Sequence, residues 1–476
     1  MASVTDQGVH GGVNGAVQGP VDAPVTESPT ESVSENVRAL AVAAKEAARG
    51  VAAASDAQRN EALEAIAQAL ENAKDAILGA NAADVSEAQA AVQRGELARV
   101  LVDRLKLSPA KLDAMIAGVR AVAHLPDPIG RVLERTTLDT GLELEKVSCP
   151  LGLLAVIFEA RPEAVTQIGS LAIKSANAVI LKPGREVERT ARVLVETIRT
   201  ALRTSAQIPE AVVTNIQQRA EVDELLKLDD VVDLMIPRGS YALVRHVQSH
   251  TRIPVLGHSE GVCHIYVDAA ANFDMALRII DDAKTDYPAA CNAVETVLVH
   301  QAIGASFLPA LAARMRERGV RLRGSAAVVA ELAKMDGVEI EKVDDQVDDG
   351  DWHHEYGDLV LAVKVVPGLA EAMEHIARYG SAHTDAIVTD DEAAARTFLA
   401  KVDSAGVFHN ASTRFSDGYR YGFGAEVGIS TSRLHARGPV GLEGLTTYKY
   451  ILRGSGQLAR DYQGPSARPF LHQRHG

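Results

Sequence analysis

The sequence predicts an α/β protein built on mostly parallel, doubly wound sheets. Short, wholly apolar runs of strand length alternate with helix-length segments from Leu153 onward, the rhythm of successive β-α-β units. The composition agrees with this. Of 476 residues, 47% are apolar but only 4% aromatic, so the core is made from Ala, Val, Leu and Ile. The length suggests two or three domains.

Residues 1–35 read as a disordered arm, rich in Gly, Val, Ser, Thr and Pro and without period. They hold Asp6, Asp22, Glu27, Glu31 and Glu35, with no Lys or Arg before Arg38. This is the opposite of an Arg-rich transit peptide, and no secretory signal is present, so a cytoplasmic protein is expected. Residues 36–107 are Ala-rich and helical, with Leu63, Ile66, Leu70, Ala73 and Ile77 on a 3.6-residue period. Ser55 and Gln58 suggest a capping box at that helix's start, and Gly79 its stop. Pro126, Pro128 and Gly130 break the pattern. Residues 131–146 read as a β-hairpin turning near Asp139-Thr140-Gly141. A hairpin polar on both faces is marginal alone and is expected to lie against another element, such as a second subunit.

Expected strands then follow at Leu153–Phe158, 178–182, 212–216 and 231–236, with helices over 163–175 and 186–203. A second series is expected at Cys263–Val267, 296–300, 359–365 and 386–388. The tail after Gly454 has no clear pattern.

Parallel sheets bind ligands beyond the carboxyl ends of their strands. The residues there are Glu159-Ala160-Arg161-Pro162, then Lys182 with Pro183-Gly184-Arg185, then Pro237-Arg238-Gly239-Ser240. Gly239-Ser240, opening a helix, would offer backbone N–H groups to a phosphate. Three cationic strand ends are notable, because 49 Lys+Arg against 63 Asp+Glu leave a net charge of −14. That charge disfavours nucleic acid and anionic membrane as partners, and no run approaches the roughly 18 apolar residues of a membrane span.

Three cysteines, Cys149, Cys263 and Cys291, show no CxxC pair and read as free thiols. Metal-ligand spacing is absent, His353-His354 included, and no metal is expected. Cys263 alternates with apolar neighbours as a core residue. Cys149, before Pro150, reads as inert. Cys291 sits on a loop, Asp286-Tyr287-Pro288-Ala289-Ala290-Cys291-Asn292, where N–H groups of a following helix or turn would favour a thiolate.

Six blocks give the chain a strong resemblance: PLGLLAVIFEARP (150–162), KSANAVILKP (174–183), IPVLGHSEGVCHIYVD (253–268), DYPAACNAVETVLVH (286–300), YGSAHTDAIVT (379–389) and residues 411–450. Over roughly residues 36–456 it resembles the γ-glutamyl phosphate reductase family, a branch of the aldehyde dehydrogenase superfamily. The resemblance implies an aldehyde dehydrogenase-like fold. It divides the chain into an NADP-binding Rossmann-like domain (36–125 and 148–256), a catalytic α/β domain (257–445), an oligomerisation flap (126–147 and 446–456) and a tail (457–476). It implies NADPH-dependent reduction of L-glutamate 5-phosphate to L-glutamate 5-semialdehyde in proline biosynthesis, with NADP(H) as cofactor. A homo-oligomer is expected, and a separate glutamate 5-kinase is a conceivable partner, since too few residues precede the reductase blocks to form a kinase.

By the same resemblance, Cys291 is the nucleophile and Asn292 a neighbouring catalytic residue. Arg161 replaces an oxyanion-binding Asn and is expected to grip the leaving phosphate. Val255 stands where hydrolytic relatives carry a water-activating Glu. Lys182, Arg185, Gly239, Ser240 and Glu355 match cofactor-binding positions, and the cation at Arg185 suits a 2′-phosphate. Arg414 and Asn410 are candidates for the substrate's amino-acid end, with Arg437 weaker. Lys182, Arg185, Arg161 and Arg414 are expected to converge beside Cys291. Two rival readings are a hydrolytic aldehyde dehydrogenase, which Val255 and Arg161 oppose, and an inactive nucleotide-binding scaffold.

Overall fold

The computed structural model describes residues 29–475 apart from 98, 206–207, 259, 335–339 and 344–349. Of the expected arm, residues 1–28 lie outside the described residues, and the remainder is already helical.

Five helices come first: α1 (Pro29–Ala53), α2 (Asp56–Asn72), α3 (Lys74–Gln93), α4 (Arg99–Leu105) and α5 (Pro109–Ala123). The Ser55–Gln58 capping box forms at the start of α2. Gly79 does not end that helix. The break falls at Ala73, and α3 runs through Gly79. Strands β1 (Val132–Asp139) and β2 (Leu142–Pro150) form the hairpin, with Gly141 at φ +70° in the two-residue turn, a conformation glycine adopts without strain.

The first parallel sheet contains β3 (Leu153–Phe158), β4 (Ala178–Pro183), β5 (Val213–Asn215) and β6 (Leu234–Arg238) in the order β5-β4-β3-β6. The helices between them are α6 (Glu163–Lys174), α7 (Glu188–Ser205) and α8 (Arg219–Leu225). Every residue of β3 is buried, as a strand covered on both faces requires. Phe158 lies opposite Pro183 on one side and Arg238 on the other, so three strand ends meet. Helix α9 (Tyr241–His250) leaves the end of β6.

The second parallel sheet contains β7 (Cys263–Val267), β8 (Val294–His300), β9 (Arg321–Gly324), β10 (Ile340–Lys342), β11 (Val360–Val366), β12 (Thr384–Val388) and β13 (Gly406–His409). Its order is β10-β9-β11-β8-β7-β12-β13. Helix α10 (Phe273–Thr285) joins β7 to β8. Beyond it, β14 (Gly428–Ser430) and β15 (Gly438–Val440) pair, and β16 (Thr446–Arg453) joins the hairpin. The patternless tail is also placed. Its β17 (Gln473–His475) pairs with Arg135–Thr137, giving a small sheet of order β16-β2-β1-β17. Among the described residues, no helix is long and apolar enough to cross a membrane.

Candidate active site

Cys291 lies in a tight turn between α10 and β8. Backbone hydrogen bonds from Ala290 to Tyr287 (3.1 Å) and from Ala293 to Ala290 (2.8 Å) shape this turn. A strand follows it, not a helix. Its two flanks are tied by a fully buried ion pair, Lys284 Nζ to Glu295 Oε2 at 2.7 Å. Burial works against both charges, pulling the Lys284 ammonium down and pushing the Glu295 carboxyl up to about 7. Asn292 braces the turn from the other side. Its Nδ2 donates to Ser416 O at 2.9 Å, and its Oδ1 accepts from Arg414. Both ends of the amide are therefore used in bracing the turn.

The support for the thiol comes from two histidines that the sequence did not single out. One ring nitrogen of His258, one of His383 and the Cys291 sulfur all lie within 4.8 Å of one another. Burial pushes the Cys291 thiol up, but the imidazoles of His383 and His258 outweigh it and hold the thiol well below its ordinary range. Burial opposes the cationic form of His258 as well, yet Cys291 raises it to about 9. His258 Nδ1 donates to Ile429 O at 2.9 Å, which leaves Nε2 for the thiol. His383 Nδ1 shares a 2.9 Å hydrogen bond with Thr384 Oγ1, and its buried Nε2 has no hydrogen-bond partner.

Glu355 borders the same group. Its Oε2 accepts from Gly261 N at 3.0 Å, and burial followed by the nearby Cys291 charge pushes its carboxyl up. A Cβ at Gly261 would overlap the Cys291 carbonyl, so only glycine allows this approach. Cys263 is a buried strand residue as expected, and its Sγ donates to Cys291 O at 3.3 Å.

Arg161 and Arg238 stand at the carboxyl ends of the neighbouring strands β3 and β6. Burial and the like charge of Arg161 lower Arg238 to about 10, while Glu426 and Cys291 support its charge. Neither guanidinium has a hydrogen-bond or ion-pair partner among the described residues. Two adjacent cations with no ion pair among the described residues, near a thiolate, suit an anionic ligand. Arg238 is an addition to the sequence reading, which treated it only as part of a cofactor loop.

Lys182 and Arg185 form a separate group. Lys182 Nζ donates to Pro183 O at 2.7 Å, and burial lowers its ammonium, with Glu186, Glu188 and Glu221 acting in the opposite direction. The expected convergence of all four cations is therefore corrected. Strands β3 and β4 are neighbours, so strand order alone does not part Lys182 from Arg161. The charges acting on Lys182, however, are those of Glu186, Glu188, Glu221 and Arg185, whereas Arg161 and Cys291 act on Arg238 at the end of β6, and Arg414 is tied to Asp286. The Gly239-Ser240 loop also differs from expectation, because the Ser240 N–H already donates to Glu159 Oε2 at 2.8 Å.

Arg414 is held by Asp286 (Nε to Oδ2, 3.0 Å) and by Asn292. The Asn410 amide clips Thr389, accepting from its N at 2.9 Å and donating to its O at 3.0 Å. Both nevertheless line a cavity of about 480 Å³ with Arg278, Asp282, Asp286 and Arg420. Arg437 instead pairs with Asp403 at 2.7 Å.

Residues 13–328 match the model of the aldehyde dehydrogenase family, whose members use a nicotinamide cofactor. The chain is 52% identical over 431 residues to a γ-glutamyl phosphate reductase of Natronomonas pharaonis, covering 90% of this chain and 96% of that protein. It is 54% identical over 434 residues to one of Cyanothece sp., covering 91% and 97%. The crystal structure of γ-glutamyl phosphate reductase from Thermotoga maritima superposes with a TM-score of 0.83 at 38% identity, over 89% of this chain and 99% of that one. The chain belongs to the aldehyde dehydrogenase family, in its γ-glutamyl phosphate reductase branch.

Proposed function

We propose that this chain reduces L-glutamate 5-phosphate to L-glutamate 5-semialdehyde with NADPH, releasing phosphate through a thioester on Cys291. The observation that carries this reading is a thiol within 4.8 Å of two imidazoles that lower its pKa, near a pair of arginines with no ion pair among the described residues. The Cys291 thiolate attacks the acyl carbon, and the C–O bond to phosphate breaks. Arg161 and Arg238 hold the departing phosphate. The proton given up by the thiol, carried on His258 Nε2, is available to that phosphate and balances the step. NADPH, when bound, supplies hydride to the thioester carbon. The resulting oxyanion expels the Cys291 thiolate and gives the aldehyde.

Lys182 and Arg185 fit the phosphorylated ribose of NADP, being cations at one strand end with no ion pair among the described residues. Glu355 fits the nicotinamide ribose beside Cys291. The Ser240 loop fits a pyrophosphate only after Glu159 moves from its N–H. Arg278, Arg414 and Arg420 in the 480 Å³ cavity fit the amino-acid end. Val255 offers no base to activate water, so phosphate is the exchanging acyl partner.

The test runs the reaction in reverse with semialdehyde, phosphate and NADP, following the absorbance of reduced nicotinamide. Signal that requires phosphate is expected. Equal signal without phosphate would show a hydrolytic dehydrogenase, and no signal with or without phosphate would show a scaffold.

A further inference from the structure

The donors that keep Cys291 ionised also match a metal site. Thiolate and neutral imidazole are the ligands thiophilic divalent cations prefer, and three protein ligands with one open position form a recurrent zinc arrangement. The Cys291 sulfur and one nitrogen each from His258 and His383 lie within 4.8 Å of one another. Zinc bonds of about 2.3 Å to sulfur and about 2.0 Å to nitrogen place donors about 3.5 Å apart, so movements of about 1 Å close the site.

The surroundings of the two rings are those of metal-ligating histidines, which usually bond through their other nitrogen to a carbonyl or polar side chain. His258 Nδ1 donates to Ile429 O at 2.9 Å, and His383 Nδ1 is engaged by Thr384 Oγ1 at 2.9 Å. The buried Nε2 of His383 has no hydrogen-bond partner, a cost that a bound cation would remove.

We propose that Cys291, His258 and His383 bind one thiophilic divalent cation, Zn²⁺ in particular, with water in the fourth position. An occupied site blocks the nucleophile reversibly, since the sulfur lone pair that would attack the acyl carbon is donated to the metal. The cation and the acyl phosphate therefore compete for Cys291.

Equilibrium dialysis of the chelator-treated full chain against Zn²⁺, and absorption spectra with Co²⁺ as probe, test this. One equivalent of Zn²⁺ per chain is expected, along with a thiolate-to-cobalt charge-transfer band. Cys291→Ser should abolish that band, and His258→Gln and His383→Gln should each weaken binding at least tenfold, while Cys149→Ser changes neither. Because His383 is fully buried and its replacement puts folding at risk, alkylation of wild-type Cys291 gives a second route. Zn²⁺ should slow iodoacetamide labelling of Cys291 at least tenfold, and a chelator should restore it. Binding that survives both Cys291→Ser and alkylation, or labelling that Zn²⁺ leaves unchanged, overturns the proposal.

Discussion

The two parallel sheets reach the site by opposite ends. The first contributes carboxyl ends, with Arg238 closing β6 and Arg161 just beyond β3. The second contributes amino ends, with His258 preceding β7, Cys291 preceding β8 and His383 immediately preceding β12. The contrast extends to how each group is held. The arginines have no hydrogen-bond or ion-pair partner among the described residues. The thiol sits in a turn clamped below by Lys284–Glu295 and on its flank by Asn292. Anion binding calls for charge left free for the ligand, whereas a nucleophile must be held in place before the ligand arrives.

Removing the nucleophile is the harshest test of this division. Cys291→Ser should lower turnover by about four orders of magnitude or more, while NADPH binding, whose phosphate contacts are assigned to the first sheet, stays intact. Loss of NADPH affinity in titration of the folded variant would show that the two ends are not separable.

The clamp comes next. Lys284→Met leaves buried Glu295 without its cation and should destabilise the fold by about 3–5 kcal/mol in denaturant unfolding. Adding Glu295→Leu should recover most of that loss, since no buried charge is then left alone. If the double variant recovers stability but not turnover, the clamp serves the geometry of the turn. If recovery of stability restores turnover in full, the ion pair contributes only to folding.

On the opposite edge, Arg161→Met or Arg238→Met removes a charged contact to phosphate, worth about 1.5–3 kcal/mol, or roughly 10- to 150-fold in kcat/KM for acyl phosphate. Alkylation of Cys291 should stay fast in both variants. A fall in alkylation matching the fall in kcat/KM would mean that the arginines act through the thiol and not on the phosphate.

The same division explains what the sequence made legible. The parallel architecture was readable because buried strands such as LLAVIF are continuous apolar runs. Strand β9, Arg321–Gly324, is short and half polar and left no such trace. Cys291 stood out through its local surroundings of proline and small residues. His258 and His383 did not, because no spacing links them to Cys291. Only the pairing of β7 with β8 and of β12 with β7 brings their amino ends together. Weighing residues after each strand found the arginines but missed the histidines, which come before theirs. Arg238 and Lys182 were both visible as strand-end cations, yet that they fall on opposite sides of β3 depends on strand order, which no local pattern encodes.

The smallest effect is expected farthest from the thiol. Arg185 is exposed at the end of β4, where solvent screens its attraction for a 2′-phosphate. Arg185→Glu should therefore weaken NADPH by only about 1 kcal/mol, roughly fivefold in Kd, and leave NADH unchanged or slightly improved. Turnover at saturating NADPH should match wild type, because β3 separates this strand end from that of β6. A drop in turnover at saturation would mean that the cofactor end and the arginine pair are coupled across β3. An unchanged NADPH affinity would assign the 2′-phosphate to Lys182 alone, whose half-buried ammonium is screened less.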